Sequence, residues 1–175
     1  VKYKDNIKEA VNNGVFFLLI CGAYQLFGKY YKGVEGNIIP GLEIFNYYTE
    51  AIENRKKRCI GNIVIEANLN GEKTKIIGFE NHGGQTFDID TPFGNVLFGN
   101  GNKFGDSKEG FFLKNVIATY LHGPLLSKNP ELADYIISHC LNRKYNEDIK
   151  LEPLNDDFEN LCRKQLLDRF IDSNS

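Results

Sequence analysis

Val15-Phe16-Phe17-Leu18-Leu19-Ile20-Cys21-Gly22-Ala23-Tyr24-Gln25-Leu26-Phe27-Gly28 decides how this chain is read. The six apolar residues from Val15 to Ile20 are unbroken. A strand with one wet face alternates, so continuous apolarity marks a strand buried on both faces. The run ends at Cys21-Gly22-Ala23, a turn that opens a helix reaching to about Tyr31. A residue at such a junction projects above the carboxyl edge of the sheet, where open α/β folds keep their sites. Gly22 and Ala23 read as the small neighbours that a tight, crowded elbow needs. The partial positive charge of a helix start favours thiolate at Cys21. The N–H of Gly22 would face an oxyanion formed on a substrate carbonyl. A cysteine closing a core strand is also an ordinary small hydrophobe, so the choice turns on its partners.

Upstream, Ile7, Ala10 and Val11 predict a short helix over 4–13, ended by Gly14. Downstream, Gly33 to Gly41 reads as loop. Strands are expected over Asn62–Ala67 and Lys73–Phe79, joined at Asn70-Gly71, the strongest short hairpin signal. Asn81-His82-Gly83-Gly84-Gln85-Thr86 reads as a polar loop, and the glycine-dense 92–106 as turns around short strands. Val116–Leu121 is another buried strand, closed by His122-Gly123-Pro124. Asn129-Pro130 reads as N-cap and first turn of a helix to about Leu141. A last helix over 154–171 would pack Leu154, Phe158, Leu161, Cys162 and Leu166 along one face. The pattern is that of an α/β layered domain, and 175 residues suit a single domain spanning the chain.

Composition excludes several classes. With 21 Lys+Arg against 23 Asp+Glu the net charge is −2, so nothing marks a nucleic-acid binder. No apolar run is long enough for a bilayer span, and no secretory leader is visible. The four cysteines form no CxxC pair. Their spacing suggests neither a disulfide framework nor a zinc ligand cluster, and a reducing cytoplasm is the default. Cys59, Cys140 and Cys162 read as structural, small buried hydrophobes.

A nucleophilic thiol needs a base, and there are three histidines. His139 lies inside a helix beside Cys140, a surface or boundary position. His82 lies in the glycine-rich loop, lining a pocket or simply solvated. His122 ends a strand, which would bring it to the same edge as Cys21 if the two strands are parallel neighbours. Cys21–His122 is the most economical dyad, although a hydrogen-bonded structural histidine also suits a strand end.

At this point three separated segments, in order, carry a resemblance. Ile20-Cys21-Gly22-Ala23-Tyr24-Gln25-Leu26-Phe27-Gly28 resembles the nucleophile elbow of class I glutamine amidotransferases of the cobyric-acid-synthase type. Gly78-Phe79-Glu80-Asn81-His82-Gly83-Gly84 is similar to that group's second signature, and Thr119-Tyr120-Leu121-His122-Gly123-Pro124-Leu125-Leu126 to its histidine motif. Asn81–Thr86 and Tyr120–Pro130 are most similar to the glutaminase subunits of lipid II isoglutaminyl synthases. The resemblance covers most of residues 5 to 140.

The resemblance implies a flavodoxin-like, three-layer fold. It also implies attack of Cys21 on the side-chain amide of L-glutamine, with His122 carrying the proton to departing ammonia. No cofactor is called for. The ammonia would pass to a Mur-ligase-like, ATP-dependent catalytic subunit amidating D-glutamate of lipid II to D-isoglutamine. Arg58, by its Arg-x-Ile-Gly context, and Gln25 would hold the substrate. Arg55 is a weaker match within the Arg55-Lys56-Lys57-Arg58 charge run. Two alternatives stay open: the amidotransferase domain of a cobyric-acid-synthase-like enzyme, and a non-catalytic docking module of the same fold. Two departures stand out. Pro124 occupies the place where many relatives carry the acid of His-x-Glu, so another carboxylate or a backbone carbonyl would have to orient His122. A doubly wound sheet with its elbow at residue 21 also leads us to expect roughly two further βα units upstream, along with a second oxyanion donor.

Overall fold

In the computed structural model, which describes residues 2–171, the chain opens with α1 (Lys4–Asn12), β1 (Phe17–Ile20) and α2 (Gly22–Phe27). Next come β2 (Tyr30–Lys32), β3 (Ile38–Pro40), β4 (Tyr48–Ala51), β5 (Cys59–Leu69), β6 (Glu72–His82) and β7 (Gly84–Phe87). The second half adds β8 (Gly94–Phe98), β9 (Lys108–Glu109), β10 (Phe111–Leu113), β11 (Val116–Thr119), α3 (Pro130–Tyr145) and α4 (Asp157–Phe170). The strands form three sheets, ordered β1-β11-β10, β3-β2-β4-β7 and β6-β5-β8-β9. This is a mixed α/β architecture, as expected. No helix among the described residues is long and apolar enough to cross a membrane.

The run at 15–20 is apolar throughout because two cores flank it. Phe16, Leu18 and Ile20 pack against a cluster containing Ile63, Ile65, Ile117, Leu121 and Leu132. Phe17, Leu19 and Cys21 face a second, with Tyr24, Phe27, Tyr47, Ala118 and Tyr120. β11 behaves the same way: Ile117 and Leu121 enter the first cluster, Val116, Ala118 and Tyr120 the second. Alternation across a pleated strand sends neighbours to opposite faces. β1 and β11 lie parallel, with Phe17 opposite Val116 and Ile20 opposite Thr119. Two strands pointing the same way end at the same edge, which brings Cys21 and His122 to one side of the sheet.

The long hairpin forms where Asn70-Gly71 predicts it, with φ of +54° and +92° at the two turn residues and Leu69 opposite Glu72. Both residues in left-handed backbone is what a two-residue hairpin turn requires. β6 then continues past the expected end at Phe79. Cys59 pairs with His82, and Phe79 bridges His122, tying the hairpin to the end of β11.

Several expectations need correction. The helix after Cys21 stops at Phe27, and Tyr30–Lys32 is strand, sandwiched between β3 and β4. Residues 33–41 contain β3, an edge strand, rather than loop alone. Residues 81–86 are largely strand, because their polar side chains find buried partners far away in sequence. Asn129 does sit at the N-cap of α3, but its side chain does not cap. It is fully buried and bonds Ile77 N (2.8 Å), Ile77 O (2.8 Å) and Leu125 O (2.7 Å). The last helix starts at Asp157, after the expected 154, and most of the predicted face is wet: Leu154, ahead of the helix, and Phe158 and Leu161 on it are 79%, 74% and 55% exposed. Of the predicted face Leu166 does pack, joined by Leu167 and Phe170, on Val64 and Ile77 of the hairpin. Cys140 and Cys162 are exposed rather than core; Cys59 is buried as expected.

Candidate active site

Cys21 is the last residue of the β1 line and the N-cap of α2. Its N–H donates to Thr119 O (2.9 Å), one step beyond the strand pairing, and its carbonyl accepts from Gln25 N (3.1 Å). Between these two bonds the backbone turns through φ +54°, ψ −107°. Such a conformation costs a non-glycine residue about 1–3 kcal/mol, and it persists only where the surroundings over-determine it. It gives the sharp elbow that projects a nucleophile from a strand end. Gly22 follows with its N–H at the first helical position, where no intrahelical acceptor exists. One detail differs from expectation: a Cβ at Gly22 would meet nothing within 4 Å. Glycine here leaves the approach to the thiol open rather than relieving a crowded backbone.

His122 is half-buried and held twice by one carbonyl. Its N–H donates to Phe79 O at 2.8 Å, and its ring Nδ1 lies 3.0 Å from the same oxygen. A carbonyl can only accept, so Nδ1 carries the proton and Nε2 keeps its lone pair. The orienting role left vacant by Pro124 is therefore taken by the main chain of Phe79, delivered by the bridge between β6 and the end of β11.

The other predicted residues gather at Gly83-Gly84. Arg58 is exposed, with Nη2 3.0 Å from Asn81 Oδ1, and its Nη1 would stand 3.1 Å from a Cβ at Gly83. A Cβ at Gly84 would fall 2.6 Å from Gln25 Nε2 and 2.8 Å from Thr49 Cγ2. Two consecutive glycines thus make room for both side chains. Arg55 lies in a short 3₁₀ turn, its side chain outside the described residues. A cavity of about 330 Å³ opens beside the elbow, with Gly22, Gln25, Tyr31 and Ile39 among its walls. Cys21, His122 and Arg58 are not among them.

His82 is neither solvated nor in a loop. It ends β6, 2% exposed, with Nδ1–H donating to Gly84 O (2.7 Å) and its ring stacked on Tyr120 at 3.6 Å. Burial lowers its pKa to about 4, so it is neutral. Its Nε2 lies 4.0 Å from Glu80 Oε2. The fold also gathers Cys59, Glu80 and His82, whose ligand-type atoms all lie within 4.8 Å of one another, a grouping that spacing along the chain did not reveal. Glu80 is already engaged: Asn100 N (2.9 Å) and Nδ2 (2.8 Å) donate to one oxygen and Gly101 N (3.1 Å) to the other. Burial pushes the Cys59 thiol up to about 11, which keeps it protonated. These three could hold a metal only by releasing the 100–101 turn and a thiol proton. As arranged, Glu80 pins that turn to the hairpin. His139, as expected, is a boundary residue, edge-on to Phe16 at 5.2 Å.

Sequence reasoning missed Glu109. It is fully buried, accepting from Tyr120 N (2.7 Å) and Thr119 Oγ1 (2.9 Å to each oxygen), and so fixes the chain just before His122. A single acid between Lys108 and Gly110 carries no local signal. Burial raises its pKa to about 8, against the opposing pull of those bonds. The sign of the linkage follows. Above pH 4.5 the unfolded chain ionises this group while the folded one keeps the proton, so folding stability falls as pH rises toward 8. His82 acts oppositely: the unfolded imidazole takes a proton below about 6.5, so stability falls as pH drops toward 4. From pH 6.5 to 8 His82 contributes little, while Glu80, also raised by burial, acts in the same sense as Glu109. Urea unfolding should show about 1–2 kcal/mol lost across that interval, and Glu109→Gln should remove most of the loss. An equal slope in the variant would contradict this assignment.

Cys21 at the strand-to-helix elbow and His122 just past the end of β11 thus stand at one edge of two parallel neighbouring strands. The profile of the CobB/CobQ-like glutamine amidotransferase domain matches residues 1–130, and the chain belongs to that family, whose domain is flavodoxin-like. It is 42% identical over 96% of its length to the lipid II isoglutaminyl synthase (glutamine-hydrolyzing) subunit GatD of Staphylococcus aureus, and 37% identical over 98% to that of Streptococcus pneumoniae. It covers 66% and 64% of those two proteins. A probable cobyric acid synthase of Methanococcus vannielii is 31% identical over 91% of the chain, which covers 32% of that protein.

Proposed function

We propose that this chain is the glutaminase part of a lipid II isoglutaminyl synthase, a single amidotransferase domain that releases ammonia from L-glutamine. The observation that carries the reading is the parallel pairing of β1 with β11, which sets the strained Cys21 elbow and His122 at one edge. His122 Nε2 takes the proton from the Cys21 thiol. The thiolate then adds to the glutamine Cδ, and the oxyanion meets the N–H of Gly22. As the C–N bond breaks, the imidazolium returns its proton to the departing nitrogen, which leaves as ammonia. Water cleaves the γ-glutamyl thioester by the same proton route in reverse, and glutamate departs. Arg58 binds the α-carboxylate, and Gln25 contacts the same amino acid. The ammonia goes to a Mur-ligase-like, ATP-dependent subunit that converts the α-carboxylate of D-glutamate in lipid II to a carboxamide. Identity to the two GatD subunits exceeds that to the cobyric acid synthase and favours this partner over a fused cobyric-acid-type ligase.

The test uses a diazoketone analogue of glutamine, with the other thiols as internal controls. One equivalent should attach to Cys21, glutamine should protect it, and the exposed Cys140 and Cys162 should stay unlabelled. Labelling that follows exposure alone, unaffected by glutamine, would support the non-catalytic module instead.

A further inference from the structure

Among the described residues, His82 Nε2 is buried without a hydrogen-bond partner. The other ring nitrogen fixes its state. Nδ1 lies 2.7 Å from the Gly84 carbonyl, which only accepts, so Nδ1 holds the proton and Nε2 a bare lone pair. Leaving such an atom unmet in a dry interior is costly, and the groups it faces do not relieve it. Glu80 Oε2, 4.0 Å away, is beyond hydrogen-bonding range and already accepts from Gly101 N. Cys59, opposite His82 at the end of the β5–β6 ladder, adds its sulfur, and the three ligand-type atoms all lie within 4.8 Å of one another. Nitrogen, oxygen and sulfur lone pairs converge here, and a cation is what satisfies all three at once.

We propose that Cys59, Glu80 and His82 form a binding site for one divalent transition-metal ion of the Zn²⁺ type. The donor set selects the class: a thiolate, an imidazole and one carboxylate oxygen suit zinc, whereas Mg²⁺ and Ca²⁺ take oxygen shells. A metal-bound histidine commonly has its second ring nitrogen held by a carbonyl, as Gly84 holds Nδ1. Gln85 Nε2 donates toward the Cys59 sulfur at 3.9 Å, a bond that favours the thiolate. Zinc bond lengths place tetrahedral ligands about 3.3–3.7 Å apart, so the three atoms close by about 1 Å. Release of the 100–101 turn is confined to Gly101 N on Oε2, because both Asn100 bonds are made to Oε1. As the sulfur–metal bond forms, the Cys59 proton leaves to solvent, and water takes the fourth position. The bound ion cross-links the first residue of β5 to the last of β6, one residue from Arg58. Neither Cys21 nor His122 is a ligand, so the inference is independent of the glutaminase reading.

The experiment titrates chelator-treated protein with Co²⁺, whose absorption reports both geometry and thiolate ligation, and then displaces it with Zn²⁺. Cys21→Ala/Cys140→Ser/Cys162→Ser leaves Cys59 as the sole thiol, which removes the nucleophile and both exposed cysteines as competing ligands. This variant should take up one Co²⁺, with a thiolate-to-metal charge-transfer band and the intense visible bands of a tetrahedral ion, and release at least one proton per ion. Zn²⁺ should abolish the spectrum and raise the urea midpoint. Adding Cys59→Ser should remove the charge-transfer band, and adding Glu80→Gln should weaken binding about tenfold or more. The sole-thiol protein keeps the whole site, so it decides the question even where a substitution within the site fails to fold. No uptake by it, the pale spectrum of an octahedral ion, or an unchanged band after Cys59→Ser would overturn the proposal.

Discussion

Cys21→Ala should abolish glutamine hydrolysis, with a loss on the order of 10⁴-fold or more, as when a covalent nucleophile is deleted from a preorganised site. The variant should fold as well as the parent. Ala keeps the Cβ and therefore the strain at φ +54°, and it removes only a half-buried sulfur. Cys21→Gly sharpens the point. It should be as inactive as Ala but more stable than the parent by about 1 kcal/mol, since glycine adopts this conformation without the cost that any Cβ incurs. Activity and stability then move in opposite directions at one position, the behaviour of a strained functional residue. Measured ammonia release and urea midpoints decide it together. Near-normal turnover by Cys21→Ala would end the covalent mechanism. A glycine variant less stable than the alanine one would show that the elbow is not strained.

His122→Ala should lower turnover by about 10²–10⁴-fold, the usual worth of a positioned general acid–base group. Free imidazole should restore part of the rate, since the vacated space lies beside a main-chain carbonyl that can hold it. The carbonyl support has its own signature. Phe79 contributes only its backbone to the histidine, and its side chain is partly exposed. Phe79→Ala should therefore keep activity within a few-fold, whereas an enzyme relying on a side-chain acid loses much more when that acid is removed. A rate unchanged in His122→Ala would remove the base from the mechanism. A collapse in Phe79→Ala would mean that the ring, rather than the carbonyl, supports the imidazole.

The elements legible from the chain were those whose cause is local. Asn70-Gly71 can be read because left-handed backbone at two successive residues is nearly confined to such pairs. The doubly buried β1 and β11 can be read because continuous apolarity has few other meanings in a run of that length. The elbow at Cys21 and the histidine at the end of β11 follow from those two strands. Polar strands were not legible. Asn81 to Thr86 look like a loop because their hydrogen-bond partners, including Asn102 for the Thr86 amide and Phe104 for the Gln85 carboxamide, lie far along the chain. The face of α4 was misread for a related reason. Helical periodicity identifies apolar stripes, and only packing against Val64 and Ile77 chooses which stripe is covered.

From the order of its residues alone, this protein is an α/β chain with a thiol at a strand-to-helix turn and a histidine at the end of a second buried strand. Those are consequences of backbone propensity and of which side chains avoid water, and both act over a few neighbours. That the two strands lie parallel, that a carbonyl 43 positions away selects the histidine's tautomer, and that a buried glutamate holds the chain just before that histidine were decided only by the tertiary structure. The reason is that hydrogen bonding and desolvation depend on what stands within a few ångströms, and in this fold those neighbours come from other elements of the chain, as Phe79 does for His122.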